Sequence, residues 1–302
     1  MKSFLSITKK LKQLWWLGPI GFLGSIFDIP SLNLFHLFFL FGLLGFAEIF
    51  AGNGDIRIFL QSLKQILGMF YTPIVHKFRL PSKETYTCKT NYILPFIGKW
   101  TVINGGAVKT LSHSWAILPQ RYAYDFIIMD DDGNFFSGDK DLLQSYHCYG
   151  KDIIAPADGE VVKVSKQYKD SRVDGKNVYC DAPDIWGNSI TIKHKECEYS
   201  MIAHLMPNSI TINVGDTVKQ GEVIAKCGNS GNTSMPHIHF QLQSSKNAFL
   251  SSGIPIAFTN IKAQNKLNYI SIDTRSCQDN LQLIENKSYI GRGLEVENRL
   301  VD

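Results

Sequence analysis

The amino-acid sequence predicts an all-β domain, built mainly from an antiparallel sheet or sandwich and preceded by N-terminal membrane helices. From residue 92 onward, short runs of β-branched and aromatic residues alternate with turn signals such as Asn104-Gly105-Gly106. Between Leu14 and Ala47, by contrast, the only Asp, Glu, Lys or Arg is Asp28. We therefore expect a membrane anchor over residues 1–54, an amphipathic helix and linker over 55–86, a β domain over 87–270 and a C-terminal extension over 271–302.

Two apolar segments near the N-terminus are candidates for membrane insertion. The second, about 19 residues between Asp28 and Glu48, is long enough to cross a hydrocarbon core of roughly 30 Å. The first, residues 14–27, is short for a span and could tilt or lie in the interface, with Trp15 and Trp16 at headgroup level. Four lysines in the first twelve residues favour a cytoplasmic N-terminus. One span would then export the rest of the chain, whereas two would return it to the cytoplasm.

Helical spacing of apolar residues continues after the membrane segments. The residues that recur at this spacing between 55 and 70 are Ile56, Phe59, Leu60, Leu63, Ile66, Leu67 and Phe70. They predict an amphipathic helix that lies along the membrane or packs on the spans. Pro73 and Pro81 mark a linker up to residue 87, and the polar residues beyond 285 predict an edge strand and then a loose tail.

Composition excludes several classes of function. The 302 residues are 44% apolar and 19% charged, with a net charge of +4 and no basic stripe, so we expect no nucleic-acid partner. Six cysteines occur without CxxC spacing, which argues against a cysteine zinc cluster. Their even number permits disulfides without requiring them, so cysteine usage leaves the redox compartment open.

The run from His237 to Phe240 holds two histidines separated by one residue at the start of a predicted strand. Residues i and i+2 of a strand share one face, so His237 and His239 are expected to work on one ion and its bound water. Asp125 interrupts an apolar strand, where an unpaired carboxylate is costly. A metal ion or Arg121 would each compensate that cost.

Five of the eight histidines are candidates for a site, because His36 lies in the membrane segment, His76 in the linker and His194 beside lysines at a strand end. The candidates are His113, His147, His204, His237 and His239. A catalytic zinc site needs about three N or O ligands and an open position. His113, Asp125 and one histidine of the pair would make such a set, and the remaining histidine with His204 could handle protons and the developing oxyanion.

Five separated blocks in this order resemble the lysostaphin-type zinc metalloendopeptidases, which are peptidoglycan hydrolases with an HxH motif. The resemblance covers roughly residues 90–260, and the blocks are residues 120–126, 155–162, 187–192, 203–205 and 214–225, the last leading into 228–240. It implies a mostly antiparallel sheet with a narrow groove formed by loops. The implied substrate is a peptide bond in a stem or cross-bridge peptide of peptidoglycan.

The resemblance also implies roles for individual residues. Asp125 and His239 would hold Zn²⁺. His237 would be the general base or transition-state stabiliser, paired with His204. A water activated by the zinc would then attack the scissile carbonyl.

One position departs from the family pattern. Many members carry the first zinc histidine four residues before the aspartate, and here Arg121 occupies that position. We expect His113, twelve residues before Asp125, to replace it, with His147 as the reserve candidate. The alternative is a lost ligand and a catalytically degenerate domain that binds peptidoglycan or regulates another cell-wall hydrolase.

The expected location depends on which function holds. Peptidoglycan lies outside the cytoplasm, so a hydrolase would be a cell-membrane protein with an extracytoplasmic catalytic domain, bound to membrane lipid through its N-terminal segments. A third hypothesis is a membrane protein whose β domain serves a cytoplasmic partner.

Overall fold

The computed structural model describes residues 11, 13–20, 27, 29–38, 41, 56–266, 268–269, 273–278, 282–284 and 287–299. The chain divides into two units, Met1–Leu60 and Gln61–Asp302. In the first unit, 3-10 helices span Gln13–Leu17 and Pro30–Phe38.

The expected N-terminal membrane helices have no support in the described residues. In the parts of the chain that are described, no helix combines the length and apolar character needed to cross a bilayer. Much of the predicted anchor, including residues 21–26 and 42–55, lies outside the described residues.

The predicted amphipathic helix is present as α1 (Ile56–Val75), and a polar, small-residue face of it packs on the β domain. Gln61 donates from Nε2 to the Pro183 carbonyl at 2.9 Å and accepts from the Ile185 N–H at 3.1 Å. Thr72 is fully buried. At Gly68 the Phe249 carbonyl oxygen would lie 1.8 Å from an added Cβ, so no larger residue fits there. Small size at this position therefore lets the helix approach the β domain closely.

Sixteen strands lie in the described residues, together with 3-10 helices at Leu118–Gln120 and Leu143–Ser145. The strands are β1 (Trp100–Asn104), β2 (Tyr124–Ile127), β3 (Asp152–Ile154), β4 (Gly159–Ser165), β5 (Tyr179–Cys180), β6 (Asn188–Lys195), β7 (Glu198–Leu205), β8 (Thr217–Val218), β9 (Val223–Lys226), β10 (Asn232–Thr233), β11 (Ile238–Gln243), β12 (Gly253–Ile254), β13 (Ile261–Asn265), β14 (Gln282–Ile284), β15 (Lys287–Tyr289) and β16 (Leu294–Asn298).

The predicted antiparallel architecture is confirmed. A ten-stranded sheet runs in the order β13-β16-β1-β2-β11-β7-β6-β4-β8, with β12 paired to β11. The pairs β3-β9, β5-β10 and β14-β15 form three small two-stranded sheets. Neighbouring strands are antiparallel, and β11 lies between β2 and β7.

The polar composition beyond residue 285 predicts an edge strand and a loose tail, but β16 is an interior strand between β13 and β1. Its apolar residues Leu294 and Val296 are buried in the core. Glu295, between them, faces the other side and binds Lys266 Nζ at 2.7 Å. Because apolar and charged residues alternate along β16, the segment has a polar average composition although it forms an interior strand of the sheet.

Alternation along the central strands separates the core from the functional face. In β2, Tyr124 and Phe126 enter the core, where the Phe126 ring packs edge-on against the Phe96 ring with ring centroids 4.9 Å apart. In β11, Ile238 and Phe240 do the same. Side chains between these positions, including Asp125, must point to the opposite face of the sheet.

A buried carboxylate attaches the predicted linker to the β domain. Glu198 has no exposed surface, and its oxygens accept from Tyr86 Oη at 3.0 Å and Tyr92 Oη at 3.0 Å. They also accept from the backbone N–H groups of Lys89 at 2.5 Å and Thr90 at 3.2 Å. Residues 86–92 are thereby held against β7.

Replacing this carboxylate should destabilise the domain. Glu198→Ala leaves four donors without their acceptor, and each unsatisfied buried group costs about 1–3 kcal/mol, so we expect a loss of at least about 3 kcal/mol in the free energy of unfolding. Urea denaturation measures this loss. The matched control is Glu196→Ala at an exposed turn position, expected to change stability by less than about 0.5 kcal/mol. Equal effects of the two substitutions would contradict the role given to Glu198.

Candidate metal centre

The centre of the site is the pairing of Asp125 with His239. In the strand register, His239 lies opposite Asp125 of β2 on one side and Ala203 of β7 on the other. Directly opposed residues of antiparallel strands bring their side chains into contact. His239 Nδ1 lies 3.0 Å from Asp125 Oδ1, and both side chains are almost completely buried.

His113 joins this pair from the loop after β1. Its Nε2 atom lies 3.6 Å from Asp125 Oδ2, and its side chain is 27% exposed, which places it at the rim of the buried pair. The structure therefore brings the predicted substitute ligand beside the aspartate. Burial lowers the pKa of His113 more than the neighbouring carboxylate raises it, which favours the neutral imidazole that metals bind.

The structure places two alternative residues, Arg121 as the partner of Asp125 and His147 as the reserve ligand, in contacts with other residues. Arg121 donates from Nε to the Trp115 carbonyl at 3.1 Å and lies over the Trp115 ring, so it does not compensate Asp125. His147, the reserve candidate, lies 2.9 Å from Ser137 Oγ and lines a separate cavity.

His204 and His237 form a second histidine pair beside the first cluster, with ring centroids 4.7 Å apart. His204 Nδ1 donates to the Ser230 carbonyl at 2.7 Å, and His237 Nδ1 donates to the Met235 carbonyl at 2.8 Å. Carbonyl oxygens only accept, so these contacts place the hydrogen on Nδ1 and leave Nε2 as the free acceptor on each ring. His237 Nε2 lies 3.8 Å from Asp125 Oδ1.

Charge in the cluster is concentrated on Asp125. Burial alone would raise its pKa, but the positive charge that His113, His237 and His239 can carry outweighs burial and holds the pKa well below its usual range. The pKa of His204 is well below its ordinary value, because the ring is buried and lies near His237. The cluster thus places one carboxylate near His113 and His204, whose lowered pKa values favour the neutral imidazole.

A groove of about 490 Å³ opens over these residues. Its lining includes Ile185 and Trp186 from the loop before β6, and Gln65 from α1. Trp186 packs 5.2 Å from the His239 ring, centroid to centroid. The α1 helix, expected only as a membrane element, therefore forms part of the groove wall.

The sequence patterns do not reveal Asn104, which ends β1 and pairs with Asp125 in the strand register. Its Nδ2 donates to Asp125 Oδ2 at 3.1 Å, while its Oδ1 is buried without a hydrogen-bond partner. In the sequence, Asn104 is part of the Asn-Gly-Gly turn signal. Such a signal predicts a turn but not a hydrogen bond to a residue of a neighbouring strand.

The residues fit a metal ion, although no group of three or more His, Cys, Asp or Glu in the described residues has a preformed metal-binding arrangement. His113 and His239 instead each contact Asp125 directly. Donor atoms around a tetrahedral Zn²⁺ lie about 3.3 Å apart, and the contacts of Asp125 with these histidines, 3.0 and 3.6 Å, lie on either side of that separation. Two imidazole nitrogens and one carboxylate are also a common ligand set for catalytic zinc.

Residues 144–250 match the model of Peptidase family M23. This range contains His204, His237 and His239 and begins after His113 and Asp125. The resemblance predicted from the sequence motifs is confirmed, and the family match supports a metal-dependent peptidase.

Individual relatives cover the chain only in part. An uncharacterized metalloprotease of Haemophilus influenzae is 33% identical over 92 residues, which make up 30% of this chain and 16% of the relative. A zinc containing peptidase from Vibrio cholerae is 18% identical with a TM-score of 0.33, covering 55% of this chain and 39% of that chain. The antimicrobial peptidase lysostaphin from Staphylococcus simulans is 18% identical with a TM-score of 0.31, covering 51% and 47% respectively. The chain spans less than half the length of each of these proteins.

Proposed function

We propose that the chain is a membrane-anchored zinc metalloendopeptidase that hydrolyses peptide bonds in the stem or cross-bridge peptides of peptidoglycan. The observation that carries this proposal is the convergence of His113, Asp125 and His239 beside the His204–His237 pair in one groove. The resemblance to lysostaphin-type enzymes supports the class of substrate.

His113, Asp125 and His239 would hold the zinc ion. When bound, zinc supplies Lewis acidity, which lowers the pKa of a coordinated water and polarises a carbonyl. The Nδ1–H group of His237 donates a hydrogen bond to the Met235 carbonyl, so Nε2 is the unprotonated nitrogen. Nε2 is therefore the atom that accepts a proton from water and returns it to the leaving amine. His204, held in the same way by the Ser230 carbonyl, places its Nε2 as a second proton-transfer atom.

The groove suits an extended peptide. Ile185 and Trp186 line it with apolar surface, while Gln65, Gln120 and Thr233 bring side chains able to hydrogen-bond a peptide backbone. Such a lining binds a chain through its main-chain amides.

A second candidate is a degenerate domain of the same fold that binds peptidoglycan without cleaving it. Arg121 at the usual position of the first zinc histidine favours this alternative. The family match, which begins at residue 144, also leaves both His113 and Asp125 outside it.

Hydrolysis of purified muropeptides, followed by mass spectrometry, tests the proposal. The zinc-loaded chain should cleave a peptide bond, and His239→Ala or Asp125→Ala should abolish cleavage because a ligand is lost. His237→Ala should lower the rate roughly 10²–10⁴-fold, the usual contribution of a positioned acid–base group. His147→Ala is the matched control and should retain activity.

The alternatives give distinct results in the same assay. Binding of peptidoglycan without cleavage would favour the degenerate domain. Cleavage by the metal-free protein would contradict a zinc mechanism.

Membrane association is the second part of the proposal, and the outer face of α1 supports it. Opposite the face that packs on the β domain, Leu63, Leu67, Phe70 and Ile74 are exposed, Phe70 by 70%. Residues 56–79 contain four Lys or Arg and no Asp or Glu. An apolar helix face with flanking positive charge is typical of helices that bind anionic lipid surfaces. We place the domain outside the cytoplasm, where the proposed substrate lies.

Fluorescence quenching by lipids with brominated acyl chains tests this contact. Phe70→Trp adds a tryptophan on the outer face of α1, and Leu142→Trp adds one at an exposed position of the β domain. With anionic vesicles, the added emission at position 70 should be quenched and shifted to shorter wavelength, and that at position 142 should not. Equal, unquenched emission at both positions would contradict a lipid contact of α1.

A further inference from the structure

Two glutamines continue the line of His239 along β11. Gln241 and Gln243 lie on the same face of the strand as His239, and neither has any exposed surface. Amides buried in the middle of a sheet are costly unless hydrogen bonds compensate them. Each has hydrogen-bond partners along the strand, and together they form a continuous row.

The end of this row lies in the loop after β11, where backbone carbonyls accept from Gln243. Gln243 Nε2 donates to the Ser245 carbonyl at 2.8 Å and lies 3.4 Å from the Lys246 carbonyl. Ser251 holds the loop, since its Oγ accepts from the Ser245 N–H at 3.2 Å and donates to the Asn247 carbonyl at 2.7 Å. The acceptor that ends the row is therefore fixed in place.

These carbonyls determine the direction of every hydrogen bond in the row. Because carbonyls only accept, Gln243 must present its NH₂ group to the loop and its Oε1 to Gln241. Gln241 Nε2 donates to that oxygen at 2.7 Å, so Gln241 Oε1 faces His239 Nε2, at 3.0 Å. His239 must then donate from Nε2.

The position of the hydrogen on Nε2 determines what Nδ1, the other ring nitrogen of His239, can do. With the hydrogen held on Nε2, the lone pair of the neutral ring lies on Nδ1, which faces Asp125 Oδ1 at 3.0 Å. Two acceptor atoms at this distance repel each other unless a cation lies with them. The hydrogen-bond direction therefore leaves Nδ1 as the ring atom that would bind a metal ion.

We propose that Gln241 and Gln243 are positioning residues, which orient the His239 ring and hold its hydrogen on Nε2 so that Nδ1 binds the metal ion. This inference rests on the proposed zinc site. Gln241 acts directly on His239, and Gln243 acts by preventing rotation of the Gln241 amide.

The test uses the 302-residue chain and four variants. Gln241→Met removes the acceptor while keeping an unbranched side chain, and Gln241→Glu restores an acceptor for His239. Gln243→Met frees the Gln241 amide to rotate. Gln264→Met, at an exposed position of β13, is the matched control. Circular dichroism and urea denaturation confirm that each variant is folded.

Two measurements are made on each variant. Competition with a chromogenic chelator gives the Zn²⁺ dissociation constant, and long-range ¹H–¹⁵N NMR reports which ring nitrogen of His239 carries hydrogen. We expect zinc binding to weaken about 10–100-fold in Gln241→Met, with a smaller loss in Gln243→Met. Gln241→Glu and Gln264→Met should bind zinc as the wild type does. NMR should show hydrogen on Nε2 in the wild type and a mixture of tautomers in metal-free Gln241→Met.

Failure of this inference is distinguishable from failure of the proposed function. Wild-type zinc affinity in Gln241→Met, with His239 still protonated on Nε2, would overturn the positioning role. A wild-type chain that binds no zinc would contradict the proposed function, while the NMR measurement on the metal-free protein would still test how the row sets the His239 tautomer.

Discussion

The burial of the Asp125 carboxylate in the middle of the main sheet is the constraint on which the site depends. Its neighbours Tyr124 and Phe126 are core residues, so the strand cannot move Asp125 towards solvent without exposing them. A buried carboxylate requires positive charge or hydrogen bonds around it. Asn104 donates a hydrogen bond to it from the end of β1, while His113, His237 and His239 place ring nitrogens 3.0–3.8 Å from its oxygens, and the groove opens where they meet.

The hydrogen-bond partners of the histidines in the site give them different roles. Backbone carbonyls hold the hydrogen of His204 and His237 on Nδ1 and leave Nε2 free, whereas the glutamine row holds the hydrogen of His239 on Nε2. Two histidines one residue apart thus present opposite nitrogens to the same carboxylate. The division between metal binding and proton transfer that the family resemblance implies has a physical basis in these hydrogen bonds.

The fold class and the members of the histidine–aspartate cluster were predictable from the sequence, because alternation on β2 and β11 and the HxH spacing are local signals. The contacts of Gln241 and Asn104 were not, since buried amides give no periodic signal and their partners depend on strand register. For α1, periodicity located the helix but not the face that packs: Gln61, Gly68 and Thr72 contact the β domain, and the apolar stripe faces outward. The segment beyond residue 285 was expected to hold an edge strand and a loose tail, and the interior position of β16 was not predicted because its buried residues alternate with charged ones. The predicted membrane spans have no support among the described residues.

X-ray absorption at the zinc edge, on the purified chain and on His113→Ala, reports which atoms bind the metal ion in the proposed site. We expect about one zinc per wild-type chain, bound by two imidazole nitrogens and a carboxylate oxygen at about 2.0–2.2 Å, with no sulfur ligand. His113→Ala should lose one imidazole from this shell and bind zinc more weakly. A wild-type chain without zinc, or an unchanged ligand shell in His113→Ala, would contradict the assignment of His113 as the third ligand.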